Sequence, residues 1–326
     1  MERISREELA ARGIRRIAVL AGGESDEAEV SRVSARAVTE ALKKAGFDVR
    51  EFEADRTLAV TLAGFAPDVA FLATHGGGGE NGTLQGFLET MKIPYTGSGV
   101  LPSAIGMSKM RSRALFRERG LAVPLTYAHR TGDSFSPGLI SFDPPYMVKP
   151  EAAGSSIGVR RVSRREDLSS AVDEAGRYSR WVLVEQLIPG REIQSALLSG
   201  QYLGAIEIIP DKAEPFYTYA SKYVPGGSRH ISPAPLSSDE SAELAAITLE
   251  ACRVLDVRGA CRLDTIQNEE GVFVLLEINT LPGLTPTSLL PEIASHAGLS
   301  FSDLLLELIA TAALDERGAS PVLPVR

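Results

Sequence analysis

The chain has 326 residues, 34 basic and 42 acidic side chains, a formal charge of −8 and a hydrophobic fraction of 44%. At roughly 150 residues per domain, that length predicts two or three domains with a core that needs no disulfides or metals as staples. The acidic balance argues against binding to a nucleic-acid backbone, while the charged start (Met1 to Arg16) and the absence of any apolar run of about 18 residues predict neither a signal peptide nor a membrane span.

Ile17-Ala18-Val19-Leu20 ends at Gly22-Gly23 and predicts a buried parallel strand entering a glycine turn. Ser31 is expected to cap a helix with Val33, Val38, Ala41 and Leu42 on its apolar side, stopped by Gly46. Val69 to Thr74 is a second buried strand, running into Gly76 to Gly79. This rhythm predicts an α/β unit with an open parallel sheet and ligand groups at the carboxyl ends of its strands. A second unit begins near Gly97-Ser98-Gly99, where Ser108 caps a helix to Arg119 that Gly120 closes. Tyr146 to Pro150 is a strand entering a loop rich in glycine and serine, followed by a polar helix over about 165–178 and a strand from Trp181 to Val184. In a strand-rich third unit, Ile193 to Leu198 and Tyr202 to Ile209 flank a hairpin turn at Ser199-Gly200. Residues 213–236 read as a long loop, and a helix over about 238–255 leads to two further strands. The two cysteines, Cys252 and Cys261, lack metal-ligand spacing and fit a reducing cytoplasm.

The strongest chemical signal is the last strand pair. Arg262 and Asp264 stand two apart on one strand, Glu277 and Asn279 two apart on the next, so each pair shares a face. A two-residue turn at Glu270-Gly271 would set Asp264 opposite Glu277 and Arg262 opposite Asn279. A four-residue turn at 268–271 slips the pairing by two and keeps the same faces together; either way Val272, Val274 and Leu276 form the core face. Two carboxylates and an amide suit Mg²⁺; the plainer reading is a cross-strand ion pair around Arg262. Gly154-Ser155-Ser156 to Gly158, after Lys149, is either a phosphate cradle or an ordinary turn, and it is not a Walker loop. Glu185-Gln186-Leu187-Ile188 follows an apolar strand and can offer its backbone to an adenine edge, with Glu192 on the ribose; solvated glutamates are the alternative. Glu27 and Glu29 follow the first glycine turn, and His75 precedes the second. Lys222-Tyr223 lies in the long loop, which has the length of a lid or of a plain surface loop.

Taken in order, these segments resemble the D-alanine–D-alanine ligases of the ATP-grasp superfamily. The resemblance runs through Gly22-Gly-x-Ser-x-Glu-x-Glu-Val-Ser31, His75 to Gly86, Pro94 to Gly99, Lys149 to Gly158, Lys222-Tyr223, Arg262-x-Asp264 and Glu277-x-Asn279-Thr-x-Pro282-Gly283. It implies three domains, 1–97 for substrate, 98–187 central and 188–326 catalytic, with a lid near 213–236. It further implies that two D-alanines are joined through an acyl phosphate made from ATP, in peptidoglycan synthesis. Glu27 would bind the first substrate's ammonium, Ser155 would link it to Tyr223, and His75 would lie nearby. Lys109, Lys149 and Lys222 would hold phosphates, while Glu185 to Ile188 and Glu192 would hold the adenosine. Asp264, Glu277 and Asn279 would ligate two Mg²⁺, with Mn²⁺ able to substitute. Arg262 and the Gly283 N–H would receive the oxyanion, and Ser288 and Leu289 the second substrate's carboxylate. A cytoplasmic homodimer without nucleic-acid or membrane partners is implied. The rivals are a ligase using D-lactate or D-serine as second substrate, and a non-catalytic nucleotide binder on the same fold. Gln186, Asn81 and Ser108 depart from residues usual in the family (lysine at the first, aspartate at the others), and the first sixteen residues form an extension without a readable role.

Overall fold

The computed structural model describes residues 3–23, 27–152, 158–210 and 228–315. The first unit contains α1 (Arg6–Ala11), β1 (Arg16–Ala21), α2 (Ala28–Lys44), β2 (Asp48–Glu53), α3 (Leu58–Phe65), β3 (Val69–Leu72) and α4 (Thr83–Met91). β1 lies between β2 and β3, all parallel. Its continuous apolar run follows from having helices on both faces. The cap of α2 differs from expectation. Glu27 is the N-cap, and Ser31 lies buried inside the helix. There Ser31 Oγ accepts from Gly22 N and donates to the Ala73 carbonyl, each at 2.8 Å, so the hydroxyl fastens the helix to two strand ends. Buried backbone groups at such a crossing need partners, and that need outweighs capping.

The second unit comprises α5 (Val100–Met107), α6 (Lys109–Glu118), β4 (Thr126–Arg130), β5 (Tyr146–Pro150), β6 (Arg160–Val162), α7 (Leu168–Ala175) and β7 (Trp181–Gln186). Ser108 caps α6 as expected, accepting from Arg111 N. The four strands form an antiparallel sheet in the order β4-β7-β5-β6. α7 is shorter than the helix expected over 165–178, because 165–167 form a 3₁₀ turn and only Leu168, Ala171, Val172 and Ala175 pack inward.

The third unit holds β8 (Gly190–Leu198), β9 (Gln201–Pro210), β10 (Ser228–Ile231), α8 (Ser238–Leu255), β11 (Ala260–Asn268) and β12 (Phe273–Asn279), closed by α9 (Leu289–His296) and α10 (Phe301–Ala310). The five strands form one antiparallel sheet, β10-β9-β8-β11-β12. Ser199 and Gly200 both take positive φ (51° and 78°), as a two-residue hairpin turn requires. The loop expected over 213–236 is interrupted at its end, because Ser228–Ile231 pairs with β9; residues 211–227 lie outside the described residues. α8 covers one face of the sheet through Leu255, Ala251 and Cys252 against Leu197, Leu263 and Ile278. The free thiols of Cys252 and Cys261 meet at 2.7 Å in that layer.

The other face packs Ala196, Leu198 and Ile206 against Leu290 and Ile293 of α9, and the same cluster continues into β1, α2 and α1. First and third units therefore share one core. The N-terminal extension belongs to it: Leu9 is fully buried there, and Ile4 N donates to Glu307 Oε1 at 3.1 Å. Among the described residues, no single helix is long and apolar enough to cross a membrane.

Candidate active site

Arg262 stands opposite Asn279, and Asp264 opposite Glu277, the pairing that the two-residue turn would give. The route to it differs. The connection runs from Asn268 to Val272, with Asn268 N donating to the Val272 carbonyl and Gly271 N to the Asn268 carbonyl. Thr265 then opposes Leu275 while Asp264 opposes Glu277, which leaves Leu276 as the extra residue of a β-bulge. One inserted residue reverses which side chains face each side. The α8 side of β12 is therefore Phe273, Leu275 and Ile278, not the expected Val272, Val274 and Leu276, and Val272 is 42% exposed.

Arg262 and Asp264 form a bidentate pair within one strand, at 2.7 and 3.0 Å. Lys109 Nζ lies 3.0 Å from Glu277 Oε2, and Asn279 Oδ1 accepts from Leu281 N at 2.8 Å. On the neighbouring strand, Gln194 is in register with Asp264; its Nε2 donates to Glu192 Oε1 at 2.9 Å, and its buried Oε1 has no hydrogen-bond partner among the described residues. One sheet face thus carries Glu192, Gln194, Arg262, Asp264, Glu277 and Asn279. Gln194 escaped the sequence reading, although Glu192-x-Gln194 repeats the period-two spacing of Arg262-x-Asp264.

α6 supplies cations to this face and joins the two antiparallel sheets. Arg113 Nη1 meets Glu185 Oε1 at 2.6 Å while its Nε donates to the bulged Leu276 carbonyl at 2.8 Å. Lys149 Nζ takes the other oxygen of Glu185 at 2.7 Å. Burial pushes the Glu185 carboxyl up, but Arg113 and Lys149 outweigh it and hold the group below the usual carboxylate range. Burial pushes the Lys149 ammonium below its ordinary value; Glu185 opposes this, while the charges of Arg113 and Lys109 add to it. Two cations thus share one carboxylate, leaving positive charge that a phosphate oxygen would neutralise. The Glu185 side chain is taken up in this cluster, Gln186 is exposed, Leu187 N donates to the Pro145 carbonyl at 3.1 Å, and Ile188 is half-buried. Sequence reasoning did not single out Arg113. It belongs to a basic helix with Arg111 and Arg117, and only its burial distinguishes it.

A second group gathers at the carboxyl edge of the parallel sheet. His75 follows β3 and is buried, its Nε2 3.1 Å from Ser34 Oγ and its Nδ1 3.4 Å from Glu80 Oε1. A Cβ on Gly283 would come within 2.8 Å of Ser288 Oγ and 3.7 Å of His75 Cε1, so the glycine lets the three residues meet without displacing the Ser288 hydroxyl. Ser288 occupies the N-cap position of α9 without a side-chain capping bond; its Oγ instead accepts from Thr285 N at 3.0 Å and lies 2.7 Å from Thr285 Oγ1. Leu289 begins that helix with its side chain in the shared core. Glu27 heads α2, and a cavity of ≈260 Å³ opens beside Gly22, Gly23, Thr74 and Gly76. Ser155, Lys222 and Tyr223 lie outside the described residues.

A parallel-sheet unit followed by two antiparallel sheets, with carboxylates and cations gathered between them, is the architecture of an ATP-grasp ligase. A profile described as "D-ala D-ala ligase C-terminus" matches residues 132–310, and one described as "D-ala D-ala ligase N-terminus" matches 50–98. A D-alanine–D-alanine ligase of Geotalea uraniireducens is 43% identical over 300 residues, covering 92% of this chain and 96% of that one. One from Trichlorobacter lovleyi is 44% identical over 301 residues, with the same coverage of 92% and 96%. Among solved structures, a D-alanine–D-alanine ligase from Bacillus anthracis superposes with a TM-score of 0.81 at 30% identity, covering 91% of this chain and 97% of that one. The same enzyme complexed with ATP gives 0.80 at 29% identity, with the same coverage of 91% and 97%. The chain belongs to the D-alanine–D-alanine ligase family.

Proposed function

We propose that this chain joins two D-alanines into D-alanyl-D-alanine, converting ATP to ADP and phosphate, for peptidoglycan synthesis. The observation that carries the reading is the single sheet face bearing Arg262, Asp264, Glu277 and Asn279, with Lys109 against Glu277. A carboxylate is a poor electrophile, and transfer of the ATP γ-phosphoryl makes it an acyl phosphate. Such transfer needs positioning and charge neutralisation more than covalent help from the protein. Lys109 and Lys149, joined by Lys222, serve that purpose, while Glu185 to Ile188 and Glu192 take the adenosine. The deprotonated amine of the second D-alanine then attacks, Arg262 with the Gly283 N–H receives the oxyanion, and its collapse breaks the acyl C–O bond and expels phosphate as the amine nitrogen loses its remaining extra proton. Glu27, Ser155, Tyr223 and His75 hold the first substrate, and Ser288 with the Leu289 N–H, at a helix N-terminus, holds the second carboxylate.

Two carboxylates in direct register, an amide two residues on and Gln194 Oε1 beside them, unpartnered among the described residues, form a hard-oxygen set of the kind Mg²⁺ takes. Asp264, Glu277 and Asn279 would hold two Mg²⁺, or Mn²⁺, which when bound neutralise phosphate charge. The reading takes 1–97 as the substrate domain, 98–187 as the central domain and 188–326 as the catalytic domain, in a cytoplasmic homodimer. Comparing D-alanine with D-lactate as acceptor across pH tests the second substrate, because an amine must lose its proton to attack and a hydroxy acid need not. The expected result is dipeptide formation that rises with pH; a preference for D-lactate at any pH would overturn the choice of acceptor.

A further inference from the structure

Glu151 follows β5, two residues beyond Lys149, and is buried although charged. A carboxylate persists in such a place only when it is hydrogen-bonded. Its Oε1 accepts from Ser108 Oγ and, at 3.3 Å, from Met110 N, both at the start of α6. Its own N–H donates to the Trp181 carbonyl at 2.9 Å, anchoring it to β7. The first turn of α6 contains no acidic residue. It carries Lys109 and Arg111 instead, and cations at the positive end of a helix dipole are unfavourable. Arg111 Nη1 closes the arrangement by donating to Ser108 Oγ at 3.0 Å. The negative charge that the helix lacks in its own sequence thus arrives from the neighbouring sheet.

We propose that Glu151 is a positioning residue for the ATP phosphates. It ties the first turn of α6 to the end of β5, so that Lys109 against Glu277 and Lys149 against Glu185 are held as one unit. The proposal rests on the reading of those two lysines as phosphate holders. Without Glu151, Met110 N and Ser108 Oγ lose their acceptor, and the turn that aims Lys109 is released.

Steady-state kinetics and thermal unfolding of the full chain test this, using Glu151→Ala, the Glu151→Ala/Ser108→Asp double variant and Lys109→Ala. Losing a charge-assisted hydrogen bond predicts an ATP KM raised about tenfold in Glu151→Ala, with the D-alanine KM unchanged. Aspartate is a preferred N-cap and returns the negative charge to the same helix end, so the double variant should bring the ATP KM back to within about threefold of wild type. A folded Glu151→Ala with an unchanged ATP KM overturns the proposal, as does a double variant no better than the single. Should Glu151→Ala not fold, Glu151→Gln keeps the acceptor without the charge, and a raised ATP KM is again required. If Lys109→Ala leaves the ATP KM unchanged, the phosphate reading itself fails; if Lys109→Ala raises it and Glu151→Ala does not, only the positioning role fails.

Discussion

Asp264 is gripped by Arg262 and faces Glu277, which Lys109 grips in turn, so each carboxylate already has one cation beside it. Asp264→Asn and Glu277→Gln preserve shape and remove charge. Both variants should stay folded by circular dichroism and thermal unfolding while D-alanine-dependent ADP release is lost. If both are unfolded under native conditions, the pairs are structural instead. Arg262→Ala should lower kcat by about 10²–10³-fold, the scale of a lost oxyanion donor, with little change in KM; an unchanged kcat removes Arg262 from that role. Arg262, Asp264, Glu277 and Asn279 were legible as one face because spacing by two on adjacent strands is a statement about faces. Arg113, Gln194 and Thr285 were not, because an arginine on a basic helix, a glutamine mid-strand and a threonine in a loop become distinctive only through burial and partners.

At the scale of elements, the bulge at Leu276 shows why correct pairing did not bring the correct core face. Turn length and bulge shift the register in ways that compensate at Asp264 and Glu277 but not nearer the turn, and alternation alone does not locate an extra residue. The bulge also frees the Leu276 carbonyl for Arg113, linking β12 to the Glu185 cluster. Glu185→Gln leaves Arg113 and Lys149 buried together without their carboxylate, and should destabilise the chain by about 3–5 kcal/mol near neutral pH. Because Arg113 and Lys149 lower its carboxyl below the usual range against the opposing effect of burial, Glu185 stabilises the fold above the ordinary carboxylate pKa, and that contribution is lost as pH falls through the depressed value. Urea unfolding of wild type and variant should therefore show a gap that narrows on acidification. A gap independent of pH would mean that Glu185 is not the titrating group.

Across the whole molecule, the leading parallel sheet was readable from strand-helix rhythm and glycine turns, yet the core it shares with the five-stranded sheet was not. It joins residues as distant in sequence as Leu9 and Leu305, and no local pattern records such contacts. The extension before β1 belongs to that core. Leu9→Ala should cost about 2–5 kcal/mol in denaturant unfolding while leaving kcat per folded molecule unchanged; an unaffected midpoint would make the extension dispensable. The central claim concerns the reaction. It is tested most directly by measuring ADP release with Mg²⁺-ATP and D-alanine, beside L-alanine and D-alanine plus D-lactate, with the product mass determined. D-alanyl-D-alanine formed only from the D-enantiomer is the predicted result. An absence of D-alanine-dependent ADP release, in protein that demonstrably binds ATP, would contradict it.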